Sequence, residues 1–124
     1  MKDITEKIIG CAIEVHKNLG PGLLESTYEA CLHHELLENN ILVLKQAILP
    51  VTYKGINIDA GYRIDLLVNN TVIVELKSVK TIMPIHEAQI MTYLRLSKKT
   101  TGLILNFNVS RMKDGIKRYI NNKK

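Results

Sequence analysis

A chain of 124 residues with 46% hydrophobic and 23% charged side chains has the balance of one compact domain with a single core, spanning residues 1–124, and excludes disordered and fibrous classes. No apolar run approaches the roughly 20 residues that cross a bilayer, so no membrane partner is expected. The formal net charge of +5 and the pI near 9.3 favour a polyanionic partner, although a merely solvated basic surface has the same charge.

The first helix is predicted to start near Asp3, whose spacing to Glu6 resembles a capping box. Its buried stripe reads Ile4, Ile8, Cys11, Ala12, Val15 and Leu19. The early acids of Met1-Lys2-Asp3-Ile4-Thr5-Glu6 leave no signal-peptide core, so the cytoplasm is the expected compartment. Gly20-Pro21-Gly22 breaks the first helix, and a second is expected from about Leu23 to Leu37. Cys11 and Cys31 fall in apolar helical stripes and are expected as free thiols. Strands follow at about Leu42–Leu49, Val51–Ile58, Tyr62–Val68 and Val72–Val79, with Pro50 interrupting the first two. A helix over Pro84–Leu96, a buried strand over 102–108 and a closing helix over Met112–Asn121 complete the chain. Strands in the middle with helices on both sides imply an α/β sandwich.

The chemistry concentrates in Arg63-Ile64-Asp65-Leu66-Leu67-Val68-Asn69-Asn70-Thr71-Val72-Ile73-Val74-Glu75-Leu76-Lys77. Two branched apolar runs around Asn69-Asn70-Thr71 read as a β-hairpin. Glu75 and Lys77 must share a strand face. A three-residue loop would pair Val68 with Val72 and set Asp65 opposite Glu75; a two-residue turn would put Asp65 opposite Val74 and scatter the group. Two carboxylates and an ammonium inside apolar strands are costly unless something holds them there. A divalent cation between the carboxylates would remove their repulsion, and two carboxylates, a backbone carbonyl and water suit Mg²⁺. Lys77 would then acidify a metal-bound water or steady a phosphate. A structural ion pair at a strand end explains the same residues.

Asp65, Glu75 and Lys77 resemble the metal motif of the PD-(D/E)XK nuclease superfamily, with Ile64 standing where the name-giving motif has Pro. Gly22-x-x-Glu25-x-x-Tyr28, preceded by His16, and the later Gln89-x-x-x-Tyr93 followed by Gly102-Leu103-Ile104-Leu105-Asn106-Phe107 give an ordered set from His16 to Arg118. That set is similar to the GxxExxY family within the superfamily. The resemblance implies an α/β, PD-(D/E)XK nuclease-like three-layer sandwich in which a central mixed sheet is flanked by helices. It implies a Mg²⁺-dependent nuclease, with Mn²⁺ as a substitute ion, acting on nucleic acid and on DNA ahead of RNA.

The implied ligands are Asp65, Glu75, the Leu76 carbonyl and Glu25, the last bound directly or through water. Lys77 would assist the attacking water, Gln89 orient it, and Tyr93 reach a phosphate. Read from the residues alone, Glu25 is equally an acid favoured by a helix N-terminus, and Gln89 with Tyr93 an ordinary surface pair one turn apart. His86 and His16 can bind phosphate or act as acids near neutral pH, or simply satisfy a hydrogen bond. Tyr28 reads as a core residue whose hydroxyl reaches a polar group. Two cysteines exclude the iron–sulfur cluster that some members carry, since it takes four ligands. Six aromatic residues without Trp give no evident stacking platform. Substrate specificity is expected to need a homodimer or a protein partner. The rival readings are a non-catalytic nucleic-acid-binding or protein-interaction module on the same fold, and a small-molecule phosphohydrolase.

Overall fold

Asp3 opens the first helix, α1 (Ile4–Leu19), by accepting a hydrogen bond from the Glu6 backbone N–H at 3.0 Å and one from the Thr5 hydroxyl. The computed structural model describes residues 3–122; Met1 and Lys2 of the expected domain and Lys123 and Lys124 of its basic end lie outside them. Ile8, Cys11, Ala12 and Val15 are buried as the stripe requires, Ile4 is half-buried, and Leu19, the last residue of the helix, is exposed. Gly20 terminates α1 with φ 71, a conformation without steric cost only for glycine. The second helix, α2 (Glu25–Glu38), starts two residues later than expected. Cys11 and Cys31 are free thiols.

Strands β1 (Val43–Ile48), β4 (Arg63–Val68), β5 (Val72–Lys77), β6 (Thr101–Asn106) and β7 (Ile116–Ile120) form one sheet in the order β1-β4-β5-β6-β7. Only β5 and β6 run parallel, joined by the crossover helix α3 (Pro84–Ser97); the other neighbours are antiparallel. One face of the sheet, carrying Leu66, Val68, Val74, Leu76, Leu103 and Leu105, packs on α1 and α2. The other, carrying Ile64, Leu67, Ile73 and Ile104, packs on Ile90, Tyr93 and Leu94 of α3. This is the three-layer sandwich with a central mixed sheet. No helix among the described residues is long and apolar enough to cross a membrane.

Two expected elements differ. The strand expected over Val51–Ile58 is a hairpin of its own, β2 (Val51–Tyr53) and β3 (Ile56–Ile58). Lys54 and Gly55 both take positive φ, 48 and 80, as the tight two-residue turn between paired strands demands. The closing helix expected over Met112–Asn121 is a 3₁₀ turn (Met112–Gly115) followed by β7. Met112, Ile116 and Ile120 repeat every four residues like a helix, but a strand there pairs an otherwise open edge of β6. In that strand Ile116 reaches one core and Tyr119 the other, as period-two alternation allows. Gly115 permits the join, since a Cβ there would lie 1.9 Å from the Asn106 carbonyl oxygen.

Candidate active site

The β4–β5 hairpin has the register of a three-residue loop: Val68 pairs with Val72, Leu67 with Ile73 and Leu66 with Val74. Asn69 and Asn70 both take left-handed backbone, φ 54 and 55, which asparagine tolerates better than most residues. One step further the ladder opens. The Asp65 backbone N–H donates to Glu75 Oε2 at 2.9 Å, and the Leu76 N–H donates to Asp65 Oδ2 at 2.9 Å. Each carboxylate thus takes a backbone donor from the opposite strand, replacing the backbone carbonyl of a regular ladder. On its other side β4 loses one pair to β1. Gln46, with φ 54, faces Asp65 without pairing between Lys45↔Leu66 and Ala47↔Ile64, and the register is unchanged on either side. Its amide donates to Glu29 Oε1 at 2.8 Å and, more weakly, to Asp65 Oδ1 at 3.4 Å.

This geometry buries charge. Glu75 is only 5% exposed, and burial, reinforced by the negative charge of Asp65, pushes its carboxyl up to about 8. Burial also raises Asp65, against the Leu76 N–H and the Lys77 ammonium, which favour its anion. Glu29 is raised by burial and by Asp65. On the α3 side Tyr93 is raised by burial and then by Glu75 and Asp65, so its hydroxyl lies in their field.

Crowded carboxylates of this kind favour a cation, and the donors fit a hard one: carboxylate oxygens beside the backbone of an opened strand pair. Among the described residues no three carboxylate, histidine or cysteine side chains converge tightly enough to enclose an ion by themselves. Asp65 and Glu75 would therefore need a backbone carbonyl and water to complete a shell.

The other residues singled out in the sequence fall around this pair. Glu25, in the first turn of α2, accepts the Ser78 N–H at 3.1 Å and shares a hollow with Glu29, Asp65 and Ser78. The side chain of Leu76 is buried and its N–H is held by Asp65. Lys77, Gln89, Tyr93 and His86 line one cavity between the sheet and α3. Gln89 donates to the Tyr93 hydroxyl at 3.3 Å. His86 Nδ1 accepts the Met83 N–H at 2.9 Å, so its neutral ring carries the proton on Nε2.

Three residues serve the fold. Tyr28 is fully buried and stacked on Phe107, its hydroxyl donating to the Gly20 carbonyl and accepting from the Leu23 N–H. His16 binds the Val109 carbonyl at 2.8 Å. Asn106, 3% exposed, fixes the chain just beyond Lys77: its amide donates to the Val79 carbonyl and its oxygen accepts the Val79 N–H.

A family model described as the PD-(D/E)XK nuclease superfamily matches residues 2–119. The chain belongs to that superfamily. No curated protein and no solved structure matches it. PD-(D/E)XK nucleases typically use divalent metals, and the superfamily points to nuclease activity and to nucleic acid as substrate. Sequence reasoning alone missed two members of the cluster in this PD-(D/E)XK fold, Glu29 and Gln46. Glu29 carries a signal, since it lies one helical turn after Glu25 on the same face. Gln46 carries none, because its contribution comes from left-handed backbone at one position of a strand whose sequence looks regular.

Proposed function

We propose that this single domain is a Mg²⁺-dependent nuclease of the GxxExxY branch, hydrolysing phosphodiester bonds in nucleic acid, DNA ahead of RNA. The observation that carries the reading is the opened β4–β5 ladder, where Asp65 and Glu75 are drawn into the sheet beside Lys77 and each takes a backbone N–H of the other's strand. A structural ion pair would need neither the second carboxylate nor the carboxyl raised to about 8. Asp65, Glu75 and the Leu76 carbonyl would hold the cation, with Glu25 acting through water because it is tied to Ser78 N–H. The bound ion supplies positive charge to the phosphate and acidifies water.

The chain's own groups do the rest. Lys77 adds a fixed positive charge beside the attacking water and opposes the charge that grows on the phosphate. Gln89 orients the water through its amide, its other contact being the Tyr93 hydroxyl. Tyr93 donates its phenolic proton to a phosphate oxygen; the raised phenol stays protonated at neutral pH and remains a donor. His86 donates from Nε2 toward a flanking phosphate.

The test is Mg²⁺ and Mn²⁺ titration by calorimetry beside a panel of DNA and RNA substrates, single- and double-stranded, for wild type and Asp65→Ala. Metal binding and cleavage that both disappear in the variant support the proposal. Nucleic-acid binding without any metal-dependent cleavage would move the protein to the binding-module class. Cleavage confined to small phosphodiesters would make it a phosphohydrolase.

A further inference from the structure

The cavity that Lys77, Gln89 and Tyr93 share with α3 is larger than metal chemistry needs. It has a volume of about 540 Å³, within the roughly 300–1,000 Å³ of pockets that enclose small organic ligands. Its Lys77 and Tyr93 interact electrostatically with the Asp65–Glu75 pair, while Leu49, Ile85 and Leu96 give it apolar walls. Tyr62 supplies an aromatic face. Half its surface is exposed, and its ring stands edge-on to Tyr93 with centroids 6.4 Å apart and planes at 64°. Ile85 is 70% exposed on the same cavity. A tyrosine and an isoleucine left this open beside a phosphate-handling site mark a place that a flat, apolar-faced ring would cover.

Resting on the nuclease reading above, we infer that this cavity receives one unstacked nucleobase next to the scissile phosphate, so that the preferred substrate is single-stranded at the cut. A phosphate held by Lys77 and Tyr93 brings its own nucleoside to the mouth of the cavity. In a duplex that base must first leave its stack and its pair, at a cost of a few kcal/mol. In a single strand the base is already free to stack on Tyr62. The small number of aromatic residues in the chain is therefore not a bar to single-strand binding, because Tyr62 and Tyr93 are gathered where a base is needed.

The test compares a short fluorescein-labelled oligothymidylate with an abasic strand carrying the same number of phosphates, by fluorescence anisotropy in EDTA so that nothing is cut. Wild type should bind the strand with bases about tenfold more tightly, or about 1.4 kcal/mol. Tyr62→Ala removes the aromatic face, and Ala88→Phe fills the cavity from an exposed position on α3. Each should bring the two affinities within about twofold while leaving abasic-strand affinity and its salt dependence unchanged. Equal affinity for both strands in wild type, or an undiminished preference in both variants, overturns the base pocket and leaves the nuclease reading standing. Binding of neither strand overturns both.

Discussion

Glu75→Gln isolates the energetic cost of the buried carboxylate pair. The variant keeps the size of the side chain and an oxygen to accept the Asp65 N–H, but removes the titrating proton. In the folded wild type Glu75 titrates near 8, against an ordinary value of 4.5. A carboxyl raised by folding keeps its proton in the folded state across a range where the unfolded chain has lost it. The folded state therefore carries no penalty below pH 4.5, loses stability as pH rises through that window, and carries the full penalty above 8.

Each unit of separation corresponds to about 1.4 kcal/mol. Relaxation and water entry at the strand opening reduce the total, so a loss of about 3 kcal/mol between pH 5 and pH 8 is expected. For a domain of this size that is a fall in Tm on the order of 10 °C. Circular-dichroism melts in EDTA at a series of pH values measure it, and the difference between wild type and Glu75→Gln cancels the titration of residues common to both. The variant should match wild type near pH 5 and exceed it near pH 8. Saturating Mg²⁺ should stabilise wild type at pH 8 and the variant far less, since loss of one carboxylate weakens Mg²⁺ by about tenfold or more. A variant less stable than wild type at pH 8, with Mg²⁺ binding unchanged, would refute the reasoning and make the pair structural.

Further outcomes follow from the same geometry. Because Glu75 is mostly protonated at pH 7 when its carboxyl titrates near 8, Mg²⁺ binding should release close to one proton, read from calorimetry in buffers of different ionisation enthalpy. Gly115→Ala, whose Cβ would lie 1.9 Å from the Asn106 carbonyl oxygen, should destabilise by about 3 kcal/mol in urea melts. Gly102→Ala meets side chains and no backbone, Ile90 Cδ1 at 2.9 Å, Ile90 Cγ1 at 3.2 Å and Leu94 Cδ1 at 3.4 Å, and should cost about 1 kcal/mol. Tyr28→Phe deletes the hydroxyl that joins Gly20 to Leu23, and should cost about 1–2 kcal/mol in the same melts while Mg²⁺ affinity is unchanged.

The hairpin and the shared face of Glu75 and Lys77 were legible from strand alternation, but its register stood open between two loop lengths; the structure has the three-residue loop, with Asn69 and Asn70 in left-handed backbone. The helix expected over Pro84–Leu96 was legible from its proline start and runs one residue further, to Ser97. The opening of the ladder at Asp65 was not legible. It arises only when side-chain carboxylates displace backbone carbonyls as acceptors, which no local pattern records. The left-handed backbone at Gln46 is hidden for the same reason: it accompanies hydrogen bonds to Glu29 of α2 and Asp65 of β4, which are distant in sequence. At the C-terminus Met112, Ile116 and Ile120 satisfy a helical repeat, and the need of β6 for a partner overrides it.

Lys77→Ala tests the central claim most directly, because an ammonium cannot ligate a metal but can assist its chemistry. Wild type and variant should be measured together for Mg²⁺ affinity by calorimetry and for the rate of cleavage of single-stranded DNA in Mg²⁺. Wild type should cleave and stop on addition of EDTA. The variant should bind Mg²⁺ as tightly as wild type or slightly more tightly, keep most of its affinity for DNA, and cleave at least about a hundredfold more slowly. Cleavage by the variant at the wild-type rate, or no cleavage by wild type of any nucleic acid in Mg²⁺ or Mn²⁺, would contradict the assignment of this site to phosphodiester hydrolysis.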